Sequence, residues 1–160
     1  MIFQHSTIES EEDNMKKELV DFLCKAKRST YAAHGAEVVS SRPNSHDLQY
    51  REGDYLYIDT YLGGERFIGE EAIWEGDQPV WSMNYSGRVL GEGFSGDFLK
   101  EALYRVPAEY PFRGPMIYRN EDYTYHCVVS GDTEWFHGYE EIFLLDKKVM
   151  ETYFHGGIVV

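Results

Sequence analysis

At 160 residues, with 42% hydrophobic and 16% aromatic side chains, the chain has enough apolar surface for one core, which excludes disorder. A net charge of −13 excludes non-specific attraction to a phosphate backbone and suits a receptor for cations or an acidic interaction surface. Two cysteines without metal-ligand spacing, no apolar run of membrane length and an acidic N-terminus without signal-peptide character lead us to expect a cytoplasmic chain with no metal or cofactor.

In chain order, Met1 to Glu9 reads as a short lead-in, either frayed or an edge strand. Ser10 opens a first helix, with carboxylates in its first turn and Met15, Leu19, Phe22, Leu23 and Ala26 on its apolar face. It should end between Tyr31 and Gly35. Glu37 to Asp47 is rich in turn formers and reads as a long loop, a candidate lid. Three strands follow as a meander, about Asp54–Tyr61, Phe67–Trp74 and Pro79–Val89, with turns at Gly63-Gly64 and Gly76-Asp77. Ser95 then caps a second helix carrying Phe98, Leu99, Ala102, Leu103 and Val106, which Pro107 stops. A second meander runs about Met116–Ser130, Thr133–Leu145 and Lys148–Val159, turning at Gly131-Asp132 and Asp146-Lys147.

The second meander repeats the first. Tyr50, Arg51, Asp54, Tyr55 and Tyr57 recur as Tyr118, Arg119, Asp122, Tyr123 and Tyr125; Phe67, Gly69, Glu71 and Ile73 recur as Phe136, Gly138, Glu140 and Ile142. Tyr85 falls on Phe154 and Gly87 on Gly156, and Phe22, Leu23 and Ala26 answer Phe98, Leu99 and Ala102. The expectation is an α+β domain over residues 1–160, made of pseudo-repeats 10–90 and 95–160. Each half contributes one helix and an antiparallel β-meander to a curled sheet with both helices on one face. The opposite, concave face would then be free for a ligand. Strands such as Tyr55-Leu56-Tyr57-Ile58, apolar on both faces, argue for a sheet covered or curled on both sides.

A two-residue turn at Gly131-Asp132 sets Ser130 against Thr133, Val128 against Trp135, His126 against His137 and Tyr123 against Glu140. By the repeat, Tyr55 then faces Glu71, Tyr57 faces Gly69 and Ile58 faces Ile68. Each half thus places a tyrosine beside a glutamate among apolar neighbours, the arrangement a pocket for a hydrophobic cation needs. The candidate ligand residues are Glu71, Glu140, Tyr55 and Tyr123, with Trp81 and Tyr85 as an aromatic wall. Two carboxylates near a twofold could also share a proton and act as acid and base. The bland alternative is an ordinary cross-strand contact worth under about 1 kcal/mol. Where the halves differ, His126 and His137 replace Ile58 and Ile68, a pair without a third metal ligand, since Cys127 and His155 should point to the other side.

The segments Ser41-Arg42-Pro43, Ser45-His46-Asp47-Leu48, Gly53-Asp54-Tyr55, Phe67-Ile68-Gly69-Glu70-Glu71, Pro79-Val80-Trp81 and Met83-Asn84-Tyr85 with Gly87 carry a resemblance. Over most of Phe22 to Gly157 the chain resembles an uncharacterised bacterial domain family of Firmicutes, sometimes placed behind an Xre-type helix-turn-helix. That resemblance implies no activity and no catalytic residues. The absence of the helix-turn-helix here weakens an expectation of regulation. A looser likeness in architecture is to the bacterial effector-binding fold, whose pseudo-symmetric halves enclose a glutamate-centred pocket for hydrophobic cations. Three functions are therefore open. The leading one is a non-enzymatic module that binds or senses a small molecule, with a hydrophobic cation as the favoured case. The others are a hydrolase using a Glu/Tyr pair, and an acidic protein-interaction module or DNA mimic. No direct nucleic-acid or membrane partner is expected.

Overall fold

A computed structural model describes the backbone of residues 3–159 and the side chains of residues 13–159. It is α+β: two helices and an open eight-stranded antiparallel sheet of order β1-β2-β3-β4-β8-β7-β6-β5. The strands are β1 His46–Glu52, β2 Tyr55–Gly63, β3 Arg66–Glu75, β4 Gln78–Val89, β5 Ile117–Asn120, β6 Tyr123–Gly131, β7 Trp135–Leu144 and β8 Lys147–Ile158. Helix α1 spans Phe3–Ser29 and α2 spans Gly96–Tyr104. Among the described residues no helix is long and apolar enough to cross a membrane.

Helix α1 begins well before Ser10, so from Phe3 the expected lead-in is helical and not an edge strand. Leu19, Phe22, Leu23 and Ala26 form its buried stripe, whereas Met15, expected on that stripe, is exposed. The helix ends where Thr30 turns its hydroxyl back to the Ala26 carbonyl, and a 3-10 turn at Tyr31–Ala33 follows. Helix α2 starts at Ser95, whose side chain accepts from the Phe98 N–H, and buries Phe98, Leu99, Ala102 and Leu103. Both helices lie on one face of the sheet. Between them and the strands sit Tyr57, Ile73, Trp81, Met83, Tyr125, Phe136, Ile142, Met150 and Phe154.

The two four-stranded halves share their registers. Tyr57 pairs with Ile73 as Tyr125 pairs with Ile142, and Phe67 pairs with Gly87 as Phe136 pairs with Gly156. Even the irregularity after Ile73 recurs after Ile142. At the seam, Tyr85 of β4 pairs with Phe154 of β8, the two residues that the sequence repeat equates.

The expected hairpin partners are displaced. Tyr55 faces Glu75 and not Glu71, Tyr123 faces Leu144 and not Glu140, and Val128 faces Tyr139 and not Trp135. The cause is the turns. Gly63 and Gly131 sit in the left-handed region while still paired with Phe67 and Phe136, so each loop is longer than two residues. Because both displacements are even, side chains expected to share a face across these two hairpins still share it. His126 faces Glu141, and His137 lies between Ser130 and His155, so the expected histidine pair does not form. His155 shares the face of His137, contrary to expectation. The long loop after α1 ends earlier than read, because His46–Glu52 forms edge strand β1. Met116–Ser130 is broken into β5 and β6 by a two-residue turn at Glu121-Asp122.

The β7–β8 turn is Leu145-Asp146, one residue before the expected place, and Leu145 holds a φ of 55° with its side chain exposed. A left-handed leucine costs roughly 1 kcal/mol that glycine avoids, as Gly76 does in the equivalent turn of the first half. Leu145→Gly should raise stability by about 0.5–1 kcal/mol in urea unfolding; a loss would contradict this turn geometry.

Candidate functional site

The inward-pointing residues of β2, β3 and β4 bring an unusual set of charges under the helices. Glu71 and Glu140 lie on the helix-packed face, 3% and 0% exposed, and not on the free face where a ligand was expected. Lys27 of α1 is ion-paired with Glu71 and donates to the Phe112 carbonyl at 2.7 Å. Arg113, delivered by the loop between α2 and β5, donates to Glu140 Oε1 from Nε at 3.0 Å and from Nη2 at 2.5 Å. Its Nη1 is 3.7 Å from Glu71 Oε1, and its guanidinium lies 5.2 Å from the centre of the Tyr85 ring. Tyr125 completes Glu140 with a 2.5 Å hydrogen bond from its hydroxyl to Oε2. These are two satisfied buried ion pairs.

Asp59 is the remaining carboxylate, 4% exposed on β2. It accepts from the Tyr85 hydroxyl at 2.7 Å and, among the described residues, has no cation within ion-pair distance. Burial, and then the nearby Glu71 charge, push its carboxyl up to about 7. The Tyr85 ring reaches Asp59 by crossing β3 over Gly69, where a Cβ would come within 2.5 Å of it. Gly69 is thus needed for close approach.

Beside Asp59 opens a cavity of about 260 Å³, walled by Tyr31, Tyr61, Phe67, Tyr85 and Phe94, with His46 and Arg113 also on its lining. His46 stacks on Tyr61 at 4.7 Å, and the Tyr31 ring meets Tyr61 edge-on at 6.2 Å. On the other side of Asp59 a void of about 20 Å³ leads towards Lys27 and Glu71, room for a single water-sized group. The loop expected as a lid is tied down by Asp47. That carboxylate accepts from Ser41 N–H at 3.0 Å and from the Thr60 hydroxyl at 2.9 Å, and places His46 at the cavity.

Among the described residues the second half has no such site. Where the first half has Asp59 and Tyr85, the corresponding residues are Cys127 and Phe154, so the carboxylate and the hydroxyl are both missing. Phe112 fills the space, stacked on Phe136 with centroids 3.5 Å apart. Burial, followed by Glu140, pushes the Cys127 thiol up to about 12, which leaves it an inert core group.

Of the six residues singled out from sequence, only Tyr85 lines the cavity beside Asp59, and Glu71 borders the small void. Glu140 is enclosed by Arg113 and Tyr125. Tyr55 packs on Phe22, and Tyr123 stacks on Phe98 while its hydroxyl donates to the Gly93 carbonyl. Trp81 is core, beside the stacked rings of Phe112 and Phe136, with its indole N–H unpartnered among the described residues. Asp59, Tyr31, Tyr61, Phe67, Phe94 and Arg113 were missed. Among the described residues no three histidine, cysteine, aspartate or glutamate side chains converge as metal ligands.

No curated protein and no solved structure matches the chain. Residues 59–159, from Asp59 itself to the end of the second half, match the family described as "Domain of unknown function (DUF5680)", and the chain belongs to that family.

Proposed function

We propose that the chain is a binding module for a small amine with an aromatic or aliphatic body, received in the cavity beside Asp59. One observation carries this reading: a buried carboxylate without a cation of its own lines an aromatic-walled cavity of about 260 Å³. Lys27 offsets Glu71 and Arg113 offsets Glu140, so ionised Asp59 leaves the cluster one negative charge in excess. A proton or a cation must answer that charge. An ammonium group at Asp59 restores neutrality, and the tyrosine and phenylalanine faces add cation–π attraction strengthened by the dry surroundings. The volume corresponds to roughly nine waters, so the ligand is small.

The matching registers of the halves support a further part of this reading, that the fold arose by internal duplication and that one copy kept the polar site. The hydrolase alternative relies on a Glu/Tyr pair in a cavity, and the buried pair Glu140 with Tyr125 is sealed in the core. No reaction is built on it.

The test uses phenethylamine and its uncharged analogue 2-phenylethanol. At about 100 times its Kd, phenethylamine should stabilise the folded chain by about 2.7 kcal/mol, read as a rise in Tm. 2-Phenylethanol should do far less, and Asp59→Asn should abolish the difference. Because the amine competes with the proton on Asp59, its affinity should fall about tenfold per unit as pH drops below about 7. Equal binding of amine and alcohol, or amine binding unchanged in Asp59→Asn, would sink the proposal.

A further inference from the structure

The face of the sheet opposite the helices carries a row of side chains that alternation should have made polar. Leu62, Ile68, Ser86, Tyr153, Tyr139 and Val128 are cross-strand partners in unbroken succession over β2, β3, β4, β8, β7 and β6. Ile68 is 65% exposed, Tyr153 61%, Val128 49% and Leu62 41%. At about 4.8 Å per strand the row is roughly 24 Å long, the width of a standard protein interface.

The charges flanking this row are sorted by side. Along one flank Arg66 faces Arg88, Arg88 faces Glu151 and Glu151 faces Glu141. Along the other Glu70 faces Asn84, Asn84 faces His155 and His155 faces His137. Like charges directly opposite one another, such as Arg66 with Arg88 and Glu141 with Glu151, disfavour the isolated sheet. Lys148, 3.0 Å from each of those two glutamates, offsets only part of the second repulsion. Neither Arg66 nor Glu70 has an ion-pair partner among the described residues.

We infer that this face is the interface of an isologous dimer, formed by a second copy of the chain turned about an axis lying along the apolar row. Such a twofold places each residue of the row on its own counterpart, Ile68 on Ile68 and Tyr153 on Tyr153. It also exchanges the flanks strand by strand. Arg66 meets Glu70 of the second copy, Arg88 meets Asn84, Glu151 meets His155, and Glu141 meets His137. Every like-charged neighbour on one copy thereby gains an opposite or neutral partner on the other. The strands stay aligned, as in packed sheets, and the usual ~30° offset between twisted sheets keeps the best match over β3, β4, β8 and β7, nearest the centre. The charge pattern favours a second copy over any other partner, because it is complementary to itself. A twofold parallel to the strands between β4 and β8 would also oppose the charges, setting Arg66 on Glu141 and Arg88 on Glu151, but it sets Ile68 on Tyr139. Only the axis along the row lets a double swap of Arg66 and Glu70 restore association.

Sedimentation velocity of the full chain tests this. A dimer should be present at about 100 μM, and Ile68→Glu, on an exposed position, should make it monomeric with its unfolding transition unchanged. Arg66→Glu sets a carboxylate against Glu70 of the other copy and should weaken association at least ~10-fold, while Arg66→Glu combined with Glu70→Arg should restore it to within ~3-fold. A chain monomeric at ~100 μM overturns the inference and leaves the face to a different protein. A dimer indifferent to Ile68→Glu overturns it by placing the contact elsewhere. Failure of the double swap to restore what Arg66→Glu removes overturns the axis. None of these outcomes bears on amine binding, which is confined to the other face.

Discussion

Asp59→Asn is expected to stabilise the folded chain above pH 7 and to remove most of its loss of stability between pH 4 and 7. The carboxyl stands at about 7 in the folded chain against an ordinary value of 3.8. Between those two values the folded chain holds one proton more than the unfolded chain, so raising the pH favours unfolding. Below about 4 both states are protonated, and above about 7 both are ionised, so the penalty is complete and constant there. A shift of some three units corresponds to about 4 kcal/mol at 1.36 kcal/mol per unit. Asparagine keeps an acceptor for the Tyr85 hydroxyl, so the 2.7 Å hydrogen bond survives without the charge. Urea unfolding of both chains from pH 4.5 to 8.5 should therefore show curves that nearly meet at the acid end and diverge by a few kcal/mol at the alkaline end. Histidine titrations are common to both chains and cancel in the difference. Parallel curves would show that Asp59 titrates normally, and the charge argument for the ligand would fall with them.

Local chemistry was readable from the sequence, and long-range pairing was not. Ser95 and the apolar spacing after it define α2 because a cap and a stripe are written within one or two turns. Strand faces were readable too, since alternation survives any even displacement of register. The hairpin partners were not, because Gly-Gly and Gly-Asp look like two-residue turns while Gly63 and Gly131 actually close longer loops. Glu71 and Glu140 read as ligand groups because their cations stand 44 and 27 residues away, on α1 and on the loop after α2. No local pattern announces such a partner. Asp59, however, was within reach. Comparing the halves position by position sets Asp59 against Cys127 and Tyr85 against Phe154, a carboxylate and a hydroxyl present in the first half and absent from the second. The histidines drew attention instead because their chemistry is versatile, although both lie on the outward face.

Arg113→Met should cost about 3–5 kcal/mol, the largest loss expected from any single change here. Arg113 holds Glu140 through two donors and stands near Glu71, and all three side chains are at most 6% exposed. Removing the guanidinium leaves Glu140 with the Tyr125 hydroxyl alone, an ionised group without a cation in the core. Arg88→Met offers the contrast: Arg88 is half exposed, its pair with Glu151 borders solvent, and the change should cost under about 1 kcal/mol. The cost of Arg113→Met should belong to the stranded carboxylate and not to lost packing. Arg113→Met together with Glu140→Gln should then recover much of it, giving a coupling of at least about 2 kcal/mol in a double-mutant cycle measured by urea unfolding. Additive losses would show instead that Arg113 acts through its packing against the Tyr85 ring. The recovered double variant also separates stability from function. Buried ion pairs are often replaceable without loss of stability, so Arg113 needs another reason to be there. It lies 5.2 Å from the Tyr85 ring and helps fix the wall against which Asp59 is held. A double variant that folds with near-parental stability but has lost the preference for phenethylamine over 2-phenylethanol would place Arg113 in the site as a positioning residue. One that keeps that preference would confine it to the core.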